Sequence, residues 1–472
     1  MRFKAIARGR CVVRWSMTLL VGLVSISSQQ SAASSRDAAL DKAIPAAMAR
    51  ASIPGAIVGV WQDGREPYVR AFGVRDTATG QPMTTDLYMR IGSTTKTFTV
   101  TAILMLADQG KIGLDDPVDR YVKGVPGGKQ ITLRQLAAMR SGLYDYSEDT
   151  KAQMTENPGR QWTPRELLEI AFRHPLVFPP GSKFDYNNTN TVLLGQVVEN
   201  VSGESIGSFI EKNILRPEGL THTLYPVGAE FPSPHAHGYF KMPDGKVVDA
   251  TDWNPSWGGA AGQMISTLDD MRVWARDLAT GKLISPAMQR EREKFLPAPE
   301  EGDGVLYGLA LENDNGWIGH NGNVMSYMTF PYYLPDERMT MVVMTNSGAD
   351  VPSTWVMMQD IARIISPNNP WPGLPKQSAP LVRRSEQMEQ QAGAQGVQMD
   401  DVGSKRPLEL GETTAQRDHP LVVAFVQRVF ERQPVHRDRA PAVLLARGQM
   451  CARRDQRHLM ANVPAAPLRA AP

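Results

Sequence analysis

The chain is 472 residues long, with 42% hydrophobic and 21% charged side chains, two cysteines and a formal net charge of +2. The charge is unevenly spread: residues 1–35 hold five Lys/Arg and no acid, residues 376–472 hold 15 basic and 10 acidic residues, and the body between them is left with a net charge of −8. An acidic body of this kind excludes a general nucleic-acid binder, and its length allows a buried core that needs no disulfide.

At the N-terminus Arg2, Lys4, Arg8, Arg10 and Arg14 precede a short apolar run, Met17 to Ile26, and a small-residue site, Ser31-Ala32-Ala33. The run is too short to span a bilayer comfortably, and residues 1–33 read as a secretory signal peptide, an uncleaved anchor being the alternative. The expected location is therefore periplasmic or secreted, with no stable membrane span after cleavage. Cys11 lies before the apolar run and Cys451 in the C-terminal tail, so the mature body has no disulfide.

Residues 36–52 carry small apolar residues at helical spacing and end at Pro54-Gly55. Ala56 to Trp61 and Tyr68 to Gly73 read as two strands around Asp63-Gly64, a hairpin signal. An apolar helix through Ile103, Leu104 and Leu106 follows, closed by Gly110. Thr132–Met139, Pro164–Phe172, Thr191–Val201 and Ser205–Ile214 have helical periodicity. Strand character returns at Val324–Tyr333 and Met339–Thr345, with Pro335-Asp336-Glu337 between them, and a last helix runs from about Pro352 to Ile365. Strands at both ends with helices between them predict one sheet built from both ends of the body, flanked by helices, with an inserted helical region. From 376 onward Gln, Arg, Ala and Pro dominate and the periodicity fades, which predicts disorder.

Chemistry is most legible at Ser93-Thr94-Thr95-Lys96, just before the apolar helix. A serine and a lysine three apart in a first helical turn lie on one face. A hydroxyl beside an amine, near the N–H groups of a helix start, is a minimum kit for acyl transfer through a serine ester. Roughly one Ser-x-x-Lys is expected by chance in a chain this long, so its company decides the matter. Tyr186-Asn187-Asn188 follows a turn-rich loop: a phenol there can relay a proton, and Asn188 can hold the lysine or donate to a substrate carbonyl. Gly319-His320-Asn321-Gly322-Asn323 precedes the Val324 strand, where a strand edge offers N–H groups to an oxyanion and His320 adds a polar, partly cationic group. Gly203-Glu204-Ser205-Ile206-Gly207 fits the nucleophile elbow, yet Val197, Val198 and Val201 precede it at helical spacing, so Ser205 reads as a helix cap. His235-Ala236-His237 lacks a third ligand at metal-site spacing and reads as a loop pair.

Taken in order, Ser93-x-x-Lys96, Tyr186-x-Asn188 and His320-x-Gly322 resemble the three motifs of penicillin-recognising serine enzymes, above all the secreted serine D-alanyl-D-alanine carboxypeptidases that are related to class C β-lactamases. Asp108 to Asp116, Arg140-Ser141-Gly142-Leu143-Tyr144-Asp145-Tyr146 and Ser256 to Gly262 look familial too, so the resemblance covers about residues 36–366 and leaves 376–472 unmatched. It implies an α+β fold of the β-lactamase/transpeptidase type, with a sheet domain and an all-helical region around a shared cleft. It implies Ser93 as nucleophile, Lys96 and Tyr186 sharing the base and acid work, Asn188 orienting the substrate amide, and His320 where relatives have Lys or His. The N–H groups of Ser93 and Asn323 would form the oxyanion hole, beside Asn321, Gly322 and Trp257 in the substrate pocket. The implied substrate is a small peptide, ester or β-lactam, and no metal or organic cofactor is implied. Two departures stand out. Asn321 and Asn323 replace threonines that bind a substrate carboxylate in close relatives, and Glu312 falls near their arginine clamp. The expected activity is carboxypeptidase-like on cell-wall peptides. The alternatives are an esterase, amidase or D-amino-acid peptidase of the same fold, or a non-hydrolytic penicillin-binding or cell-wall-sensing protein.

Overall fold

The computed structural model describes residues 35–373 apart from Pro243, Met325, Ala349 and Asp350. The expected signal peptide, 1–33, and tail, 376–472, lie outside the described residues. Helix α1 (35–51) leads into β1 (Gly55–Gln62), β2 (Tyr68–Asp76) and β3 (Gln81–Pro82), and β4 (Met89–Arg90) runs through a 3-10 turn, Gly92–Thr94, into α2 (Thr95–Asp108). The inserted helical region holds α3 (Leu133–Ala137), α4 (Ser147–Glu156), α5 (Pro164–Phe172), α6 (Asn188–Ser202), α7 (Ile206–Ile210) and α8 (Arg216–Glu218). A small hairpin of β5 (Tyr239–Lys241) and β6 (Val247–Asp249) follows, then β7 (Ile265–Ser266), which pairs with β4. After α9 (Leu268–Thr280) and α10 (Pro286–Arg292) the chain returns to the sheet as β8 (Leu296–Pro297), β9 (Val305–Tyr307), β10 (Glu312–Asp314), β11 (Trp317–Gly319), β12 (Gly322–Val324), β13 (Tyr327–Leu334) and β14 (Met339–Thr345), and α11 (Val351–Ile365) closes the described body.

The ten-stranded antiparallel sheet has the order β3-β2-β1-β14-β13-β11-β10-β9-β8, with β12 paired to β13. Its centre joins the first strand to the last, Val58 opposite Val343. Both faces are covered, so the central strands are apolar on both sides rather than alternating with polar residues. Ala56, Val58 and Val60 of β1, Met328, Phe330 and Tyr332 of β13, and Met341 and Val343 of β14 face a layer with α1 and α11. Ile57, Tyr327, Val342 and Met344 face the opposite layer, which is continuous with α2, α9 and the helical region. The single strand expected over Val324–Tyr333 is instead the second half of a hairpin. The chain reverses between Val324 and Tyr327, and Gly322 pairs with Thr329. The mostly apolar run from Val324 to Phe330 hides such a reversal, because no Gly, Pro, Asn or Asp marks the turn between Val324 and Tyr327.

Helix α2 has no polar face: its residues from Thr95 to Leu104 are all buried. Its threonines are accommodated because each hydroxyl is paired: Thr97 with the Thr94 carbonyl (2.7 Å), Thr99 with the Ala260 carbonyl (2.7 Å) and Thr101 with the Thr97 carbonyl (2.6 Å). Trp274 of α9 stacks on Phe98 and donates to the Thr97 hydroxyl at 2.8 Å. This helix is therefore fixed in position as well as buried, and it carries the Ser93-x-x-Lys96 turn on its leading end.

Candidate active site

Ser93 sits in the 3-10 turn, partly exposed, while Lys96 is wholly buried in the first turn of α2. The Lys96 Nζ meets three oxygens: Ser93 Oγ at 2.9 Å, Asn188 Oδ1 at 2.8 Å and the Ala261 carbonyl at 3.1 Å. Burial pushes its pKa down to about 7, against the pull of Asp145, Glu301 and Glu312. A substantial fraction is then free amine at neutral pH, with its lone pair available to a hydroxyl 2.9 Å away.

Tyr186 precedes α6, Lys96 Nζ lies 4.8 Å from its ring centre, and Ser93 is near enough to pull on its phenol. Burial, reinforced by Glu301, raises the Tyr186 phenol well above its ordinary range, so it keeps its proton. Asn188, the first residue of α6, holds Lys96 through Oδ1, and one of its Nδ2 hydrogens goes to Asp145 (3.3 Å). The Ser93 turn and the third motif are pressed together. Gly92 has φ +50°, and a Cβ on it would lie 2.7–2.9 Å from the Asn323 backbone. A Cβ on Gly322 would lie 1.9 Å from the Ile91 carbonyl oxygen. Only glycine at these two positions lets β12 approach the Ser93 turn so closely.

His320 differs from expectation. It is buried, its Nδ1 donates to the Asn321 carbonyl at 2.6 Å, and its Nε2 accepts from the Tyr307 hydroxyl at 3.0 Å. Burial, aided by Lys96, lowers its pKa against the opposing pull of Glu312. Burial thus favours the neutral imidazole over the partly cationic group expected, although Nδ1 also lies 3.5 Å from Glu312 Oε1. Glu312 is corrected as well. It is only 1% exposed and lies beneath the third motif, accepting from Asn321 N (3.2 Å), from Asn321 Nδ2 (3.2 and 3.3 Å) and from the Tyr332 hydroxyl. It fixes Asn321 instead of facing an incoming carboxylate. Its neighbour Asp314 is also buried, with neither oxygen meeting a donor, and burial beside Glu312 raises its pKa well above the ordinary range.

Trp257 joins the helical side of the site. Its indole donates to Thr150 (2.7 Å), its carbonyl accepts from Tyr146 (2.8 Å), and the turn after it delivers the Ala261 carbonyl to Lys96. Asn323 is exposed on β12. Ser205 caps α7, accepting from Ser208 N at 3.2 Å, and His235 and His237 bond the Pro232 carbonyl and Asp249. No group of three or more His, Cys, Asp or Glu able to hold a metal occurs among the described residues. Asp145, Glu301, Tyr307 and the Ala261 carbonyl belong to the site and were given no role from sequence. The Arg140–Tyr146 loop and the Ser256–Gly262 segment are the sequence signals that contained Asp145 and Ala261.

Residues 40–356 match the family described as Beta-lactamase. Protein flp of Staphylococcus aureus (strain N315) is 25% identical over 319 residues, 66% of this chain and 63% of that protein, so the chain spans somewhat less than two thirds of this relative. Among solved structures, a D-stereospecific amidohydrolase from Streptomyces sp. superposes with a TM-score of 0.62 at 32% identity, over 70% of this chain and 99% of that one. A D-amino acid amidase from Ochrobactrum anthropi SV3 complexed with L-phenylalanine amide gives 0.62 at 25% identity, over 70% and 96%. An octameric penicillin-binding protein homologue from Pyrococcus abyssi gives 0.60 at 28%, over 74% and 80%.

Proposed function

The chain belongs to the Beta-lactamase family and has its serine-hydrolase fold, and from that premise we propose that it forms an acyl-enzyme at Ser93 and hydrolyses amides or esters of D-amino acids. The observation that carries the chemistry is the buried Lys96 amine, brought to about pKa 7, 2.9 Å from Ser93 Oγ. Lys96 as free amine takes the Ser93 proton while Oγ attacks the substrate carbonyl. The negative charge that develops on the carbonyl oxygen is met by the N–H groups of Ser93 and Asn323. Tyr186, still protonated, gives its proton to the leaving nitrogen or oxygen, and the Lys96 ammonium then restores the phenol. Water attacks the ester by the reverse path, releasing the acid and regenerating Ser93.

The substrate reading rests on charge. Of the acids around Lys96, Glu312 is engaged by Asn321 and Tyr332, and burial raises Glu301 to about 8, so that it is mostly protonated at neutral pH; Asp145 is left as the main negative charge, while burial lowers the His320 pKa. A substrate ending in a free carboxylate meets like charge, which costs most in a low-dielectric cleft. An amide or ester end is uncharged. The Streptomyces amidohydrolase and the Ochrobactrum amidase are similar proteins with such names. The D-alanyl-D-alanine carboxypeptidase reading is second: it keeps the chemistry, and the three motifs favour it. Export from the cell is part of the proposal, on the basic, apolar and small-residue segments of residues 1–33.

A fluorescent penicillin tests the acyl-enzyme. Wild type should carry a covalent label and Ser93→Ala none; an unlabelled wild type, or equal labelling of the variant, ends the reading. Turnover of D-phenylalanine amide, a p-nitrophenyl ester and a peptide ending in D-Ala-D-Ala ranks the substrates. A preference for the peptide returns the carboxypeptidase to first place.

A further inference from the structure

Asp145 takes no part in the steps above, yet its carboxylate reaches the site through one intermediary. Its Oδ1 accepts from Ser147 N at 3.0 Å, a turn that opens α4 and fixes the carboxylate plane. Its Oδ2 accepts from both donors of Asn188, the backbone N and Nδ2, each at 3.3 Å. The opposite end of the same amide, Oδ1, accepts from Lys96 Nζ at 2.8 Å, and Nζ lies 2.9 Å from Ser93 Oγ. The two segments are stitched together on either side of this contact: Tyr146 N donates to Thr189 Oγ1 (3.1 Å), that hydroxyl donates to the Tyr144 carbonyl (2.8 Å), and Asn187 Nδ2 donates to the Leu143 carbonyl (2.6 Å).

An asparagine amide has a donor end and an acceptor end, and packing alone distinguishes them poorly. Flipped, Asn188 would set its oxygen against the Asp145 carboxylate and its NH2 against the Lys96 amine, losing both bonds. We propose that Asp145 is the positioning residue of the Ser93–Lys96 pair: by engaging the donor end of Asn188 it turns the acceptor end onto Lys96 and aims the amine at Ser93. The proposal rests on the acyl-enzyme reading above. Asp145 also acts through space. Lys96 is faced by Ser93 from the 3-10 turn, Tyr186 and Asn188 from the start of α6, the Ala261 carbonyl, the carboxylates of Asp145 and Glu312, and Glu301, which burial raises to about 8, with His320 beyond. Of these acids Asp145 exerts the largest pull on the Lys96 proton.

The sign of a pH test follows. Attack needs Lys96 as free amine, so kcat/KM rises as pH passes its pKa. Asp145→Asn removes the charge that most favours the ammonium, so the acid limb moves to lower pH. The same change lets Asn188 flip, so the plateau kcat falls. With a p-nitrophenyl ester, D145N should lower the acid limb by about half a pH unit or more, reduce plateau kcat about 10- to 100-fold, and leave KM within about twofold. On an Asn188→Ala background D145N should change kcat less than about twofold, because the intermediary is gone. An unmoved acid limb, additive losses in the double variant, or a loss confined to KM overturns the proposal. Where D145N does not fold, Asp145→Ser keeps an acceptor for Ser147 N–H and is read the same way. Failure of the wild type to label with fluorescent penicillin overturns both readings; a labelled wild type with an unmoved D145N profile overturns this one alone.

Discussion

At the scale of single residues, the buried amine and the buried phenol are driven in opposite directions by the same low dielectric. Burial disfavours whichever form is charged, so Lys96 loses its proton more readily and Tyr186 holds its own. That supports the division of labour proposed above: Lys96 accepts first, and Tyr186 donates to the leaving group. Tyr186→Phe should therefore cost about 100-fold or more on an amide, whose nitrogen cannot leave without a proton. It should cost at most about a tenth of that on a p-nitrophenyl ester, whose phenolate leaves unaided. Equal losses in steady-state kinetics would count against Tyr186 as the donor. The Ser93–Lys96 pairing was legible because helix geometry alone brings residues three apart together. The environment of Glu312 was not. The resemblance put Glu312 near a carboxylate clamp, and only the pairing of Glu312 with Gly319 across β10 and β11 shows it buried beneath Asn321.

At the scale of elements, the site is a junction between one turn and one short strand. Gly92 and Gly322 are the contact points, and their lack of side chains sets how near the turn comes to β12. Gly322→Ala should push β12 away from the Ile91 carbonyl and spoil the oxyanion hole, lowering kcat about 100- to 1,000-fold with far-UV circular dichroism unchanged. Retained activity would show that β12 can yield. The long helices α1, α2, α6 and α11, the helix α5 from Pro164 and the four long strands β1, β2, β13 and β14 were legible from periodicity, whereas α4, α9, α10 and the two- and three-residue strands were not. The β12–β13 reversal and the Asp145–Asn188 contact were not, since the first lies inside an apolar run and the second joins segments 43 residues apart.

At the scale of the whole molecule, two layers meet on a sheet whose polar residues are few and costly. Asp314 is the clearest cost: a carboxyl with no donor, buried against another acid. An acid whose folded pKa is raised helps the fold only below its unfolded pKa, near 3.8. As pH rises from there toward the folded value, the unfolded chain sheds a proton that the folded chain keeps, and stability falls. Asp314→Asn should remove that penalty, raising Tm at pH 8 by about 2–4 °C and at pH 5 by less than half as much. A gain independent of pH, or a loss, in calorimetry at the two values would contradict this account. One further consequence comes from the central pairing of β1 with β14 and the seat of Ser93 against Asn323. The nucleophile leaves the ribosome some 230 residues before the strand that completes its oxyanion hole. On the proposed mechanism, a nascent chain halted between Tyr186 and β12 would carry Ser93, Lys96 and Tyr186 and still be chemically inert, so the hydrolase would be armed only when its last strands arrive.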